Sequence, residues 1–271
     1  MPELPEVETT RRGIEPHING QTIDALIIRQ DKLRWPIPSE LQAKLPGKRI
    51  GSVVRRGKYL LIGTENGTLL FHLGMSGSLR IVRAGTPPRK HDHVDIVFEN
   101  RLSLRLHDPR RFGALLWTEQ DPLTHPLLRD PGPEPFDARF DGRLLYALSK
   151  QRTRPVKNLI MDSRVVVGVG NIYANEALFR SGILPRRASG RISEKRYQIL
   201  VTSIQDILES AIAQGGTTLR DFVNETGKPG YFQQTLGVYG RTGHPCKHCQ
   251  STIRQTRIGQ RSTFYCPECQ R

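Results

Sequence analysis

The chain has 271 residues, with 41 Lys and Arg against 26 Asp and Glu, a formal net charge of +15 and a pI near 10.1. That length allows two domains and a sizeable core, and 37% hydrophobic with 25% charged residues suits a globular protein. The charge asks for a polyanionic partner, and a membrane is excluded as that partner, because no spanning apolar run and no basic amphipathic helix with an aromatic face is present.

"MPELPEVETTRRG" opens the chain. Pro5 suits the first turn of a helix, Glu6 and Glu8 its positive end, and Arg11, Arg12 and Gly13 its close. Glu3, which precedes the helix, and Pro2 are left without a structural reason. The acidic, proline-marked start does not read as a signal peptide, so the expected location is the cytoplasm. From about Thr22 to Trp117 the pattern is short, alternating and β-rich. "KYLLIGTENGTLLFHL" reads as a hairpin turning at Asn66-Gly67, and "HVDIVFENRLSLRLHD" turns near Glu99-Asn100. Closely spaced antiparallel strands predict a β-sandwich. Five prolines between residues 121 and 137 mark a linker.

Beyond the linker the period becomes helical. "GNIYANEALFRSG" reads as a helix capped by Asn171 and ended near Gly182. "SEKRYQILVTSIQDILESAIAQGG" places Ile199, Leu200, Ile204, Ile207, Leu208, Ala211 and Ile212 on one stripe, between an N-cap at Ser193 and a stop at Gly215-Gly216. The expected fold is α+β in two domains: an antiparallel β-sandwich with an N-terminal helix, then a helical domain with a zinc-ribbon hairpin. The boundaries are 1–120 for the sandwich, 121–137 for the linker, 138–236 for the helical part and 237–271 for the ribbon.

All four cysteines lie in the last 26 residues, as Cys246-x-x-Cys249 and Cys266-x-x-Cys269. Two such pairs match a four-cysteine zinc site, each pair setting two thiolates on one tight turn; two disulfides are the alternative. Six Arg or Lys against one Glu in residues 241–271 keep the ribbon basic. "SKQRTRPVK" (149–157) adds a second basic cluster, readable as a phosphate contact or as a solvated face.

Proline at position 2 favours removal of the initiator Met, which exposes a secondary amine. Attack by that amine on an electrophilic carbon gives a cationic iminium, an electron sink for elimination at neighbouring carbons. A carboxylic acid beside it can protonate a leaving or ring oxygen.

"MPELPEVET", "HLGMSGSLR", "KHDHVD", "DPRRFGA", "VVVGVGNIYANEALF", "QGGTTLRDF", "GKPGYFQQTLGVYGR" and the paired CxxC ending together resemble the bacterial formamidopyrimidine-DNA glycosylase family, in family order along the whole chain. The resemblance implies a helix-two-turn-helix domain, one structural zinc and a monomer acting on double-stranded DNA that contains oxidised bases. It implies excision of oxidised purines such as 8-oxoguanine, with Pro2 attacking the deoxyribose C1′ and Glu3 opening the sugar. It assigns β-elimination to Lys58 and δ-elimination to Arg261, leaving a one-nucleotide gap. Met75, Arg110 and Phe112 would fill the space of the everted base, with Arg110 facing the widowed cytosine. His91, Arg152 and Asn171 would clamp phosphates. Gly215 to Phe222 matches the family's mobile loop over the base. Read without the family, Met75 is a core residue at a strand end and Lys58 a surface lysine on a strand. Two other functions are open: an endonuclease VIII-like glycosylase for oxidised pyrimidines, whose start typically has Gly where Leu4 stands, and a zinc-ribbon binder without chemistry.

Overall fold

The computed structural model describes residues 2–216 and 236–271. They form two compact units, one containing residues 2–129 and 214–216 and the other residues 130–213 and 236–271. Among the described residues, no helix is long and apolar enough to cross a membrane.

The first unit opens with α1 (Leu4–Ile18). The sequence placed its close at Gly13; it runs five residues further, through Pro16, because Ile14 and Ile18 are fully buried and tertiary packing outweighs local propensity. Next come β1 (Ile23–Ile28), the short α2 (Leu41–Lys44), and seven strands: β2 (Ile50–Arg56), β3 (Tyr59–Thr64), β4 (Gly67–His72), β5 (Ser78–Arg83), β6 (Asp92–Phe98), β7 (Leu102–His107) and β8 (Ala114–Thr118). They make two antiparallel four-stranded sheets, ordered β1-β6-β7-β5 and β2-β3-β4-β8. One core of Val7, Ile14, Ile23, Val53, Leu60, Phe71, Val94, Leu104 and their neighbours draws on both sheets and α1, and a smaller cluster of Leu61, Leu70 and Leu128 lies apart from it. This is the expected sandwich.

Its hairpins differ from expectation in detail. Thr64 pairs with Gly67, so the β3–β4 turn is Glu65-Asn66, one residue earlier than read, and neither takes positive φ. Between β6 and β7 the turn spans Glu99 to Arg101, with Arg101 at φ +61.

One buried charge network crosses the β1-β6-β7-β5 sheet. Arg105 is 2% exposed, and its Nε and Nη2 each donate to the Asp95 carboxylate at 2.7 Å. Nη2 also donates to Thr86 O at 2.7 Å, and Arg29 donates to Asp95 Oδ2 at 2.6 Å. Burial alone would raise the Asp95 pKa, but hydrogen bonds from Arg105 and Arg29 hold it below the usual carboxylate range.

In the second unit α3 (Gly142–Ser149) is capped by Asp141, whose side chain accepts from Leu144 N–H at 2.7 Å. It is followed by α4 (Val156–Ile160), α5 (Asn171–Arg180) and α6 (Glu194–Ala213). Gly170, not Asn171, is the N-cap of α5; Asn171 is its first helical residue. Ser193 Oγ meets Arg196 N–H at 3.4 Å, and Gly215 and Gly216 follow the end of α6 with positive φ. The α6 stripe buries Leu200, Ile204, Ile207, Leu208 and Ala211 as expected, whereas Ile199 is 48% exposed and Tyr197 and Val201 are buried in its stead. The hairpin of β9 (Arg254–Ile258) and β10 (Arg261–Tyr265) turns at Gly259-Gln260, both at positive φ, which matches the strand twist. It packs on α5 through Phe179, Val238, Ile253 and Phe264.

Asp95→Ala removes the bidentate partner of Arg105, leaves it only the longer 3.5 Å pair with Asp92, and is expected to destabilise the sandwich by about 3–5 kcal/mol, whereas Asp95→Leu with Arg105→Met recovers most of that loss. Urea titration by tryptophan fluorescence reads this unit alone, since both tryptophans, Trp35 and Trp117, lie in it.

Candidate functional site

Pro2 and Glu3 are buried immediately ahead of α1. Glu3, for which the sequence offered no structural reason, is the N-cap residue of the helix. Its N–H donates to Glu6 Oε2 at 2.8 Å, so Glu6 acts through a hydrogen bond as well as through the helix dipole. Gly216, at φ +83, lies against Glu6: a Cβ there would sit 3.0 Å from Oε1. Of the expected mobile loop only Gly215 and Gly216 are described; Thr217 to Phe222 lie outside the described residues, as does most of the "GKPGYFQQTLGVYGR" block.

Lys58 occupies a two-residue turn with Gly57 between β2 and β3, half-buried, rather than a strand surface. Gly57 takes φ +58, open to glycine without strain. The turn is tied back to α1. Arg55 Nη1 donates to Gly57 O at 3.1 Å, and Arg55 Nε donates to Glu8 Oε2 at 3.1 Å. Glu8 also accepts from Arg11 and Arg12, at 3.0 and 2.9 Å. Burial would raise the Glu8 pKa, but the bonds from Arg11 and Arg12 and the charge of Arg55 bring it below normal. Glu8 therefore stays an anion and links the helix that carries Pro2-Glu3 to the turn that carries Lys58. The i,i+3 and i,i+4 arginines were visible in the sequence; Arg55 carried no local signal.

His72, at the end of β4, is a second residue the sequence reading passed over. Its Nδ1 accepts from Gly74 N–H at 3.0 Å, which fixes the neutral ring with its proton on Nε2. Burial, then the charges of Lys58 and Arg34, push its pKa down to about 4.

Met75 is at the tip of the Gly74–Met75–Ser76 turn, partly exposed and outside the core cluster. Arg110 and Phe112 are both exposed, with the guanidinium carbon 5.0 Å from the Phe112 ring centroid. Phe112 is 45% exposed, a large aromatic kept out of the core. Between them Arg111 takes φ +55, and His91 takes φ +75, two non-glycine residues in the left-handed region. Gly74 packs its backbone against that of Phe112, where a Cβ would collide with the Phe112 carbonyl.

In the second unit Asn171 donates from Nδ2 to Ser262 O at 3.1 Å, linking the first turn of α5 to β10. Arg261 is exposed at the start of β10. The basic cluster 149–157 divides by role. Arg154 is paired with Asp162 at 3.0 Å, and Lys157 is fully buried, donating to Ser262 O and Thr263 Oγ1 at 2.9 and 2.7 Å. Arg152 is exposed and makes no ion pair among the described residues. Glu176, buried in α5, accepts from the N–H groups of Gly237, Val238 and Tyr239 at 2.7–2.9 Å and anchors the entry to the ribbon.

The four Sγ atoms of Cys246, Cys249, Cys266 and Cys269 lie within 4.8 Å of one another, with no disulfide between them. Four thiolates about a zinc at 2.3 Å stand about 3.8 Å apart. Sγ separations of 3.4 Å for Cys249–Cys266 and 3.9 Å for Cys246–Cys269 suit that geometry. His248 and Cys269 direct backbone N–H groups to Cys246 and Cys266 sulfurs at 3.4 and 3.5 Å, which favours thiolates. The cluster fits one structural zinc.

His72 binds no proton in the folded state until the pH nears 4, whereas the unfolded ring titrates near 6.5. Between those values the unfolded chain takes up more protons, so His72 makes stability fall as the pH drops through that window, by about 3 kcal/mol in all. His72→Gln is expected to lose this share of the pH dependence, read by urea titration with tryptophan fluorescence at pH 7 and pH 4.5. An unaltered pH dependence contradicts it.

Residues 1–115 match the formamidopyrimidine-DNA glycosylase N-terminal domain, residues 131–223 the H2TH domain of the same glycosylase, and residues 243–271 the zinc finger found in FPG and IleRS. Curated proteins named formamidopyrimidine-DNA glycosylase are 61% identical in Methylococcus capsulatus and 60% in Pseudomonas putida, each over 100% of both chains. Among solved structures, the MutM (Fpg) protein of Thermus thermophilus is 39% identical with a TM-score of 0.88, covering 99% of this chain and 98% of its own. A Lactococcus lactis Fpg mutant in complex with Fapy-dG-containing DNA is 34% identical with a TM-score of 0.92, over 100% of both chains. Matched from end to end in sequence and in fold, this chain belongs to the formamidopyrimidine-DNA glycosylase family.

Proposed function

We propose that this protein is a base-excision repair enzyme that releases oxidised purines from double-stranded DNA and then cleaves the resulting abasic site as a lyase. The observation that carries it is the N-terminus: Pro2-Glu3 stands buried at the head of α1, joined through Glu8 and Arg55 to the turn that bears Lys58. With Met1 removed, the Pro2 amine attacks C1′ as the N-glycosidic bond breaks and the base departs with its electron pair. Glu3 protonates the ring oxygen as the sugar opens. The iminium acidifies C2′, loss of that proton expels the 3′ phosphate, and a second elimination expels the 5′ phosphate. Lys58 and Arg261 serve these two proton transfers. Hydrolysis of the remaining imine frees Pro2.

Met75, Arg110 and Phe112 fill the stack left by the extruded base, and His91, Asn171 and Arg152 take phosphates. Zinc held by Cys246, Cys249, Cys266 and Cys269 supplies structure, setting the hairpin that presents Arg261. The enzyme acts as a monomer on chromosomal DNA. Oxidised pyrimidines are a second substrate class, supported by a relative's complex with DNA containing an oxidised pyrimidine. A binder without chemistry accounts for Glu3 only as the cap of α1 and leaves the buried Pro2 without a use.

Glu3→Gln is expected to slow release of 8-oxoguanine from a duplex by about a hundredfold or more while duplex affinity holds within about threefold. Base release at the wild-type rate contradicts the assignment. Cys246→Ser is expected to lose zinc and most duplex affinity, with the tryptophan-reported unfolding of the sandwich unchanged; intact binding contradicts a DNA-facing ribbon.

A further inference from the structure

Asp108 follows β7 and is fully buried. Its Oδ2 accepts from Gly113 N–H at 2.7 Å, and its Oδ1 lies 3.4 Å from Ser76 Oγ, a longer contact. Its backbone is equally engaged. Asp108 N–H donates to His91 O at 3.0 Å, and Asp108 O accepts from Arg111 N–H at 3.2 Å and from His93 Nε2 at 2.8 Å. Every partner but His93 is, or directly adjoins, a residue read above as a DNA contact: Ser76 follows Met75, Gly113 follows Phe112, Arg111 separates Arg110 from Phe112, and His91 is itself one. Two glycines bring the loops together at this point. A Cβ on Gly113 would meet His72 O at 2.8 Å and Asp108 Oδ2 at 2.9 Å, and one on Gly74 would strike the Phe112 backbone.

We infer that Asp108 is a positioning residue that locks the Met75 turn and the Arg110–Phe112 loop into one rigid wedge. A buried carboxylate bonded to a backbone N–H is a strong, charge-assisted anchor, and it acts on both loops from below without reaching DNA. Arg111 and His91, both at positive φ, bond the Asp108 backbone, which any residue there would supply; the carboxylate adds the ties to Gly113 and Ser76, and these are what the lock rests on. The inference rests on the reading of Met75, Arg110 and Phe112 as the wedge. It predicts that Asp108 governs base extrusion and leaves the chemistry at Pro2 alone.

The test compares two duplexes, one carrying 8-oxoguanine with a neighbouring 2-aminopurine and one carrying a preformed abasic site. In Asp108→Ala, base release and the fluorescence rise that reports extrusion are both expected to fall about a hundredfold, with abasic-site incision within about threefold of wild type. Asp108→Asn retains an acceptor for Gly113 and is expected to recover about tenfold of the loss. Combining Asp108→Ala with Met75→Ala adds little to the larger single effect, because the two act through one unit. Should Asp108→Ala fail to fold, Asp108→Asn carries the same comparison at a smaller loss. Wild-type extrusion in a folded Asp108 variant, equal losses on both duplexes, or multiplying effects with Met75→Ala would overturn the inference. Met75→Ala alone separates the two readings: an unchanged rate removes the wedge itself, and a slowed rate beside an unaffected Asp108 variant removes only the lock.

Discussion

The arrangement of the first unit turns on one carboxylate, Glu8. It accepts from Arg11 and Arg12 on its own helix and from Arg55 on β2, and Arg55 in turn holds the carbonyl of Gly57. A helix start alone is prone to fray; the two residues ahead of α1 would move with it. Burial of Val7, Ile14 and Ile18 fixes the helix on the sandwich, and the Glu8–Arg55 bond fixes its azimuth relative to the β2–β3 turn. Three arginines around one buried anion also explain how a charge survives at that depth, since an unpaired carboxylate would be protonated or expelled.

The positive charge of the chain is therefore not uniform in meaning. Arg29, Arg55, Arg80, Arg105 and Arg154 are committed to carboxylates, and Lys157 holds the ribbon through Ser262 and Thr263. By contrast Arg110, Arg111, Arg152, Arg254, Arg257 and Arg261 are exposed and form no ion pair among the described residues. Cations held apart from counter-charges raise the energy of the free protein and lower it again beside phosphates, so this second set is the share that answers to salt. Arg110, Arg111 and Arg152 sit on loops, whereas Arg254, Arg257 and Arg261 lie on the strands of the ribbon hairpin.

Much of this was legible in the sequence. Period-2 strands, helix stops and cysteine spacing gave the sandwich, α6 and the ribbon, since each is a local pattern. What the sequence left hidden depends on contacts across long separations. Nothing near Arg55 announces its bond to Glu8, and the absence of acids among residues 149–157 concealed Asp162, which pairs with Arg154 from the next turn of chain. The end of α1 was misplaced because Gly13 and Pro16 are helix-breaking in isolation, while Ile14 and Ile18 are needed in the core. Ile199, expected on the buried stripe of α6, is exposed, while Tyr197 and Val201 occupy the buried face. Met75, ambiguous between core and loop tip, was decided by Gly74 and Gly77, which turn the chain before β5.

Covalent attachment to the chain's own amino end is the claim from which the catalytic account descends. The direct measurement is to reduce a reaction on 8-oxoguanine duplex with borohydride, digest the adduct, and sequence the modified peptide by mass spectrometry. The account predicts a peptide that begins at Pro2, lacks Met1, and carries the sugar remnant on the proline nitrogen. A remnant on a lysine side chain, or efficient cleavage by protein that retains Met1 throughout, would contradict it.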